Sequence, residues 1–335
     1  MTTTQTRTMR AAVVDRFGGP EVVRVGDRPR PEPAAGELLV RVHASTVSIA
    51  DHRLRTREVP RGLGLLVGPA IGFRRPRHQV LGMEGAGVVE AVGADVTRYA
   101  PGDEVIVMRG ARFGCHAEFV TVRERDEVAR KPAALSFDEA AALVFGGVTA
   151  LRYLDLVEVG PGSDVLVNGA SGAVGTAAVQ LAASRGARVT AVTSGRNAEL
   201  VRSLGAAEVV DHTREDFAAP APGDAPRYDV IVECVGNAPF RRVGRLIRPG
   251  GALLLVIADL AGMVGAALRP RRRGILVSQA GGPMGADGLA RLAELAEAGA
   301  VRPVIDRTYD LDDVAEAHRY VDAGRKRGSV VLRIR

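Results

Sequence analysis

The stretch Asn168 to Gly175, NGASGAVG, carries the clearest chemistry in this chain. It follows the apolar run DVLV and opens a helical pattern, so it reads as a strand-to-helix turn. Set against G-x-G-x-x-G, it is Ala170-x-Gly172-x-x-Gly175 with Gly169 just ahead. Gly172 would let the backbone approach a pyrophosphate, and Gly175 would let helix and strand pack closely. The helix N-terminus would add free N–H groups and a partial positive charge. Gly169, Ala170, Ser171, Gly172, Ala173, Val174 and Gly175 are therefore expected to bind a dinucleotide. Cofactor choice turns on the end of the next strand, where a carboxylate usually takes a ribose 2′-OH. Thr193-Ser194-Gly195-Arg196 stands there instead. The hydroxyl of Ser194 and the guanidinium of Arg196 suit a 2′-phosphate, so NADPH is the expected cofactor.

A second stretch, VLGMEGAG (Val80–Gly87), sets Met83 and Glu84 between Gly82 and Gly85. A lone carboxylate there could be a metal ligand, a catalytic acid or turn chemistry. Cys115-His116 falls in a strand, where a buried thiol and an outward His are expected rather than a nucleophile pair. His318 lies on an amphipathic helical pattern and is expected to be solvated. The two cysteines, Cys115 and Cys234, lie far apart, which excludes a disulfide framework or a cysteine-built zinc site. The +6 net charge is almost all arginine and scattered, apart from Arg269–Arg273 (RPRRR), expected as a loop. No nucleic-acid partner is expected from that pattern. No apolar run reaches the roughly 18 to 20 residues of a membrane span, and MTTTQTRTMR lacks a secretory h-region. A cytoplasmic protein without a membrane partner is the expectation, its first residues a polar leader.

Elements must position these residues. The first 125 residues show short strands broken by Gly and Pro (MRAAVVD, EVVRV, ELLVRVHAST, GAGVVEAVG, DEVIVM, AEFVTV), the pattern of a small β domain. Residues 54–78, rich in Arg, Gly and Pro, read as a mobile loop or lid. From about residue 133 helices and buried strands alternate. Ser136 and Glu139 form a capping box ahead of FDEAAALVFGGVTALRYL. Strands SDVLVNGA, RVTAVTS, YDVIVECVG and ALLLVIA are separated by helices, including PFRRVGRLIRPGG, which implies a doubly wound parallel sheet. Two helices and a last strand, SVVLRIR, end the chain.

The order of GMEGAGVVEAVGADVTRYAPGDEV, FGGVTAL, NGASGAVGTAAVQLA and RPVIDRTYDLDDVAEAHRYVDAGRKRGSVVL resembles the medium-chain dehydrogenase/reductase superfamily, specifically its zinc-independent quinone oxidoreductase-like branch. The resemblance implies an α/β fold, with a GroES-like β-rich catalytic domain (1–132 and 283–335) and an inserted Rossmann domain (133–282). It implies a small-molecule substrate in the interdomain cleft and a homodimer. It further implies that Thr149 lines the cofactor, and that Val235, Gly236, Val256 and Ile257 lie by the nicotinamide ribose. Ser48 and Met83 stand where zinc-dependent relatives keep Cys and His, so no metal is expected. Ser48-Ile49 replaces the Asn-Pro of many zinc-independent members, and Ser329 stands where many relatives carry Lys. Ser48, Asp51 and Thr149 are the candidate catalytic groups, with a capping role for Asp51 and a surface His52 as the bland alternative. The implied activity is hydride transfer from NADPH to an activated C=C. Quinone reduction, a catalytically weak NADP(H)-binding structural or sensory protein, and non-redox cyclisation are the alternatives.

Overall fold

The computed structural model describes residues 7–58, 68–125, 128–219, 227–257, 271–272, 274–279 and 286–335. The N-terminal strands are β1 Thr8–Val14, β2 Val23–Pro29, β3 Glu37–Val47, β4 Glu84–Val92, β5 Glu104–Met108, β6 Phe119–Arg123 and β7 Val128–Arg130. Helix α1, Ile49–Thr56, leaves the end of β3, and a short helix α2, Gly68–Ile71, follows it. Residues 59–67 of the expected lid lie outside the described residues, as do the leader 1–6 and Arg269, Pro270 and Arg273 of RPRRR.

The helix expected after Ser136 forms as α3, Phe137–Leu154, and the Ser136–Glu139 capping box is made in both directions. The next strands are β8 Asp164–Asn168, β9 Arg188–Thr193, β10 Ala206–Asp211, β11 Tyr228–Glu233, β12 Ile247–Leu255, β13 Arg271–Arg272 and β14 Ile275–Ser278. Their helices include α4 Ala173–Ser184, α5 Ala198–Ser203 and α6 Phe240–Val243. The expected helix PFRRVGRLIRPGG is cut short: Ile247 already pairs with Tyr228, and the strand takes over. Arg271–Arg272 pair antiparallel with β14 instead of forming a loop.

The sheet order is β10-β9-β8-β11-β12-β14-β13, and all its pairings except β13·β14 are parallel. The chain winds outward from β8 to β10, then restarts beside β8 at β11. The carboxyl ends of β8 and β11 thus form a topological switch point, where such sheets bind ligands.

The other large sheet runs β15-β16-β3-β4-β5-β7, with β6 also on β3; β15 is Ile305–Asp310 and β16 is Ser329–Arg333. Val330 and Val331 pair with Val47 and Thr46, so the C-terminal strand returns to the first domain's sheet. β15 was not legible as a strand, because IDRTYD carries too few apolar residues to show alternation. The core around α3 joins the two sheets: Ala44, Ala86, Ile106 and Met108 pack in the same cluster as Val165, Val167 and Leu254.

Candidate active site at the domain junction

The glycine turn forms as expected between β8 and α4. Gly169 takes a left-handed conformation (φ +81°), which glycine alone adopts without cost. A Cβ on Gly175 would lie 2.1 Å from the Gly169 carbonyl oxygen, so α4 can pack on β8 only with glycine there. A Cβ on Gly172 would touch only the Gly169 carbonyl oxygen, at an ordinary contact distance of 3.6 Å, so the turn has room beside it. That open cradle at a helix N-terminus fits a dinucleotide diphosphate.

The other strand ends converge on it. Val235 Cγ2 lies 2.7 Å from where a Cβ on Gly169 would sit, and Ile257 Cγ2 is 3.2 Å from the same point on Gly236. Glu233, buried at the end of β11, holds this arrangement. Its oxygens accept the N–H groups of Val235 (2.7 Å) and Gly236 (2.7 Å) and the amide of Asn168 (2.9 Å). Burial pushes its carboxyl above the usual range, against those donors. Sequence reasoning missed Glu233 and Asn168; the signal was a polar residue ending each of two apolar strands. Thr149 is half-buried on α3, one turn beyond Gly146. A Cβ on Gly146 would lie 2.3 Å from the Ala173 carbonyl, so α3 lies against the start of α4. The structure therefore brings Gly169 to Gly175, Val235, Gly236 and Ile257 together, with Val256 beside them and α3, which carries Thr149, alongside.

At the carboxyl end of β9, buried Asn197 donates to Ser171 Oγ (3.1 Å) and Ser194 Oγ (3.2 Å), and Thr193 Oγ1 donates to Ser171 Oγ (2.9 Å). Arg196 is exposed beside them. A carboxylate does reach this end, from the neighbouring strand. Asp211 accepts Thr213 N–H (2.9 Å) and Oγ1–H (2.7 Å) and the Gly195 N–H, which together hold its carboxyl below the usual range. It braces the Gly195 turn; no carboxylate comes from β9 itself.

On the catalytic-domain side the sequence expectations need correcting. Asp51 is fully buried. Its Oδ2 accepts Ser48 Oγ–H (2.7 Å) and Ser48 N–H (2.8 Å), and its Oδ1 accepts Gly82 N–H (2.8 Å). Ser48 Oγ in turn accepts Ala50 N–H (3.2 Å). The pair is the capping box of α1 and a clamp on VLGMEGAG, so the geometry gives Asp51 a structural job. His52 is no free surface group: Nδ1 meets Asp322 (2.7 Å) and Nε2 meets Glu58 (3.1 Å). His116 and His318, expected outward and solvated, are both fully buried with ring centroids 6.3 Å apart. Desolvation, then the charges of His116, Arg55 and His52, drive the His318 pKa well down, so it stays neutral. Burial pushes the Cys115 thiol up to about 12 and the Cys234 thiol up further, which removes both as nucleophiles.

Glu84 is buried, accepts the Thr46 hydroxyl on Oε1, and has no partner for Oε2 among the described residues. Desolvation, then the nearby Asp51 charge, push its carboxyl up to about 8. Ser48 gives its hydrogen to Asp51, and the Met83 thioether packs against both hydrophobic cores. Hydroxyl and thioether make a poor donor set for Zn²⁺.

Known proteins share this architecture. Residues 34–133 match the family model described as alcohol dehydrogenase GroES-like domain, and residues 204–332 match zinc-binding dehydrogenase. The mouse (Mus musculus) mitochondrial NAD(P)H oxidoreductase RTN4IP1 is 32% identical, covering 99% of this chain and 91% of its own. The 2-methylene-furan-3-one reductase of Solanum lycopersicum is 30% identical, over 97% of this chain and 79% of its own. The solved structure of the quinone oxidoreductase from Coxiella burnetii aligns with a TM-score of 0.85 and 27% identity, covering 98% and 100% of the two chains.

Proposed function

We infer the reaction of this chain, which belongs to the zinc-independent quinone oxidoreductase-like branch of the medium-chain dehydrogenase/reductase superfamily, from what its cleft offers. It is an oxidoreductase using a nicotinamide cofactor. Its reaction is NADPH-dependent reduction of the activated C=C of an α,β-unsaturated carbonyl compound. One observation carries this choice: Ser48 and Met83 are committed to a helix cap and to core packing, beside a complete dinucleotide turn. Without a Lewis-acid site an alkoxide has no stabiliser, whereas an enone spreads developing charge onto its own carbonyl.

The bound nicotinamide would supply a hydride to the β-carbon. The chain's own residues orient and shield. Ser171, Gly172, Ala173 and the α4 N-terminus take the diphosphate, while Ser194 and Arg196 take the 2′-phosphate. Val235 (49% exposed) and Ile49 (39% exposed) are apolar surfaces that exclude water once a substrate lies against them. Asp51 is closed off, so the α-carbon proton comes from solvent. A second reading, two-electron reduction of a quinone by the same step, is supported by the likeness to the Coxiella burnetii enzyme. We place the protein in the cytoplasm as a homodimer, with neither nucleic acid nor membrane as partner. Among the described residues no helix is long and apolar enough to cross a membrane.

NADPH oxidation over a panel of enones and quinones separates the two readings. Tight NADPH binding with no turnover would leave a structural or sensory NADP(H)-binding protein. Arg196→Ala should raise the NADPH Kd about tenfold or more and leave the NADH Kd unchanged, one lost charge-assisted contact. An unchanged NADPH Kd, or NADH binding tighter than NADPH in the parent, would sink the cofactor assignment.

A further inference from the structure

Of the chain's 45 basic residues only Lys131 and Lys326 are lysines, and neither is freely solvated. Lys131, its side chain 4% exposed, donates to the Pro132 carbonyl (3.0 Å) and pairs with Glu104 (3.1 Å). Lys326 is half-buried in the loop between the helix Val314–Asp322 and β16. In a chain that elsewhere writes every cation as arginine, a compact ammonium at these two places meets a local demand that a planar guanidinium does not.

The loop of Lys326 lies on the glycine turn. Lys326 Nζ donates to the Gly328 carbonyl (2.6 Å), and Gly328 N–H donates to the Ser171 carbonyl (2.8 Å). Gly328 also bridges to Gly172. Gly328 is itself fixed: its φ is +62°, and a Cβ there would lie 2.1 Å from the Val304 carbonyl. The acids whose charge acts on the ammonium are Glu84, whose buried Oε2 has no partner among the described residues, and Asp306. Burial pulls the Lys326 pKa down to about 8, and the charge of Asp306, joined by that of Glu84 once it ionises, works against this. Arg327, the next cation along the loop, is already paired with Asp306 (3.3 Å).

We propose that Lys326 is a cofactor-binding residue, whose ammonium meets the dinucleotide diphosphate from the catalytic-domain side, opposite the N–H groups of the α4 turn. A helix N-terminus offers only about half a positive charge, against the two negative charges of a diphosphate. Lys326 supplies the missing cation and ties the two domains together across the bound cofactor. Arg196 reads the adenosine end; Lys326 reads what both nicotinamide cofactors share. The proposal rests on a nicotinamide cofactor, but on neither the NADPH preference nor the acceptor, so it is tested with no acceptor present.

Fluorescence titration of the full chain and of Lys326→Met with NADPH, NADH and adenosine 2′-phosphate gives the answer. The variant should bind NADPH and NADH more weakly by the same factor, about tenfold, the scale of one charge-assisted hydrogen bond. Adenosine 2′-phosphate, which has no diphosphate, should bind unchanged. Unchanged constants for both dinucleotides would overturn the proposal. So would a loss that extends to adenosine 2′-phosphate. That result would make Lys326 a prop for the Ser171 turn, since Ser171 is bonded to Thr193 and Asn197 at that end. Lys326→Gln, titrated in the same way, decides the matter if the methionine variant does not fold.

Discussion

Glu84 opens strand β4 between two glycines, and its surroundings decide its proton. Burial and the Asp51 charge raise its pKa to about 8, well above the usual carboxylate value. Between the unfolded carboxylate's pKa and about 8, the folded chain therefore binds one more proton than the unfolded chain. Stability should fall as pH rises through that window, by about 1.4 kcal/mol per pH unit from this group alone. Lys326, lowered to about 8, acts only above that window, where its early loss of a proton makes stability rise with pH. Glu84→Gln resembles the protonated acid and should flatten the lower limb; urea midpoints from pH 5 to 8 that fall as in the parent would contradict this. Glu84 was legible as a lone carboxylate among glycines, but its burial was not, because that depends on β3 and α1 folding over it. His318 shows the opposite case. Val314, Ala317, His318 and Val321 share one buried face at helical spacing, so the pattern held the answer and the residue type masked it.

At the scale of elements, the glycine turn makes two opposite predictions from one motif. Gly172→Ala adds a Cβ that meets nothing closer than an ordinary contact at 3.6 Å, at φ −79°, so the fold should change by less than about 1 kcal/mol. The methyl would nevertheless occupy the cradle, and the NADPH Kd should rise at least about tenfold, or 1.4 kcal/mol. Gly175→Ala forces a Cβ onto the Gly169 carbonyl and should cost about 1–3 kcal/mol of stability as well as cofactor binding. Thermal melts with NADPH titrations check both; equal destabilisation of the two variants would show the turn misassigned. This motif and the Ser136–Glu139 capping box were legible because short-range spacing determines them. The clamp made by Glu233 was not, since it joins β8 to β11 across 65 residues of chain. Asp51 was legible as a capping residue as readily as a proton relay, and only its contact with Gly82, 31 residues away, decides between them.

At the scale of the molecule, periodicity alone indicated a β-rich part followed by a doubly wound part. That the C-terminal strand returns to the first sheet is a matter of long-range pairing, which only family resemblance could suggest beforehand. The two sheets share a core through α3, so the junction beside the glycine turn is a packed seam. The proposed reaction requires this seam to position the cofactor without help from a metal, and that is the central claim. It is tested most directly by NADPH oxidation with an enone, before and after exhaustive dialysis against a chelator, with the product identified. The account predicts the saturated carbonyl compound at an unchanged rate and less than one zinc per chain before dialysis. Loss of activity on chelation, restored by Zn²⁺, or the allylic alcohol as product, would contradict it.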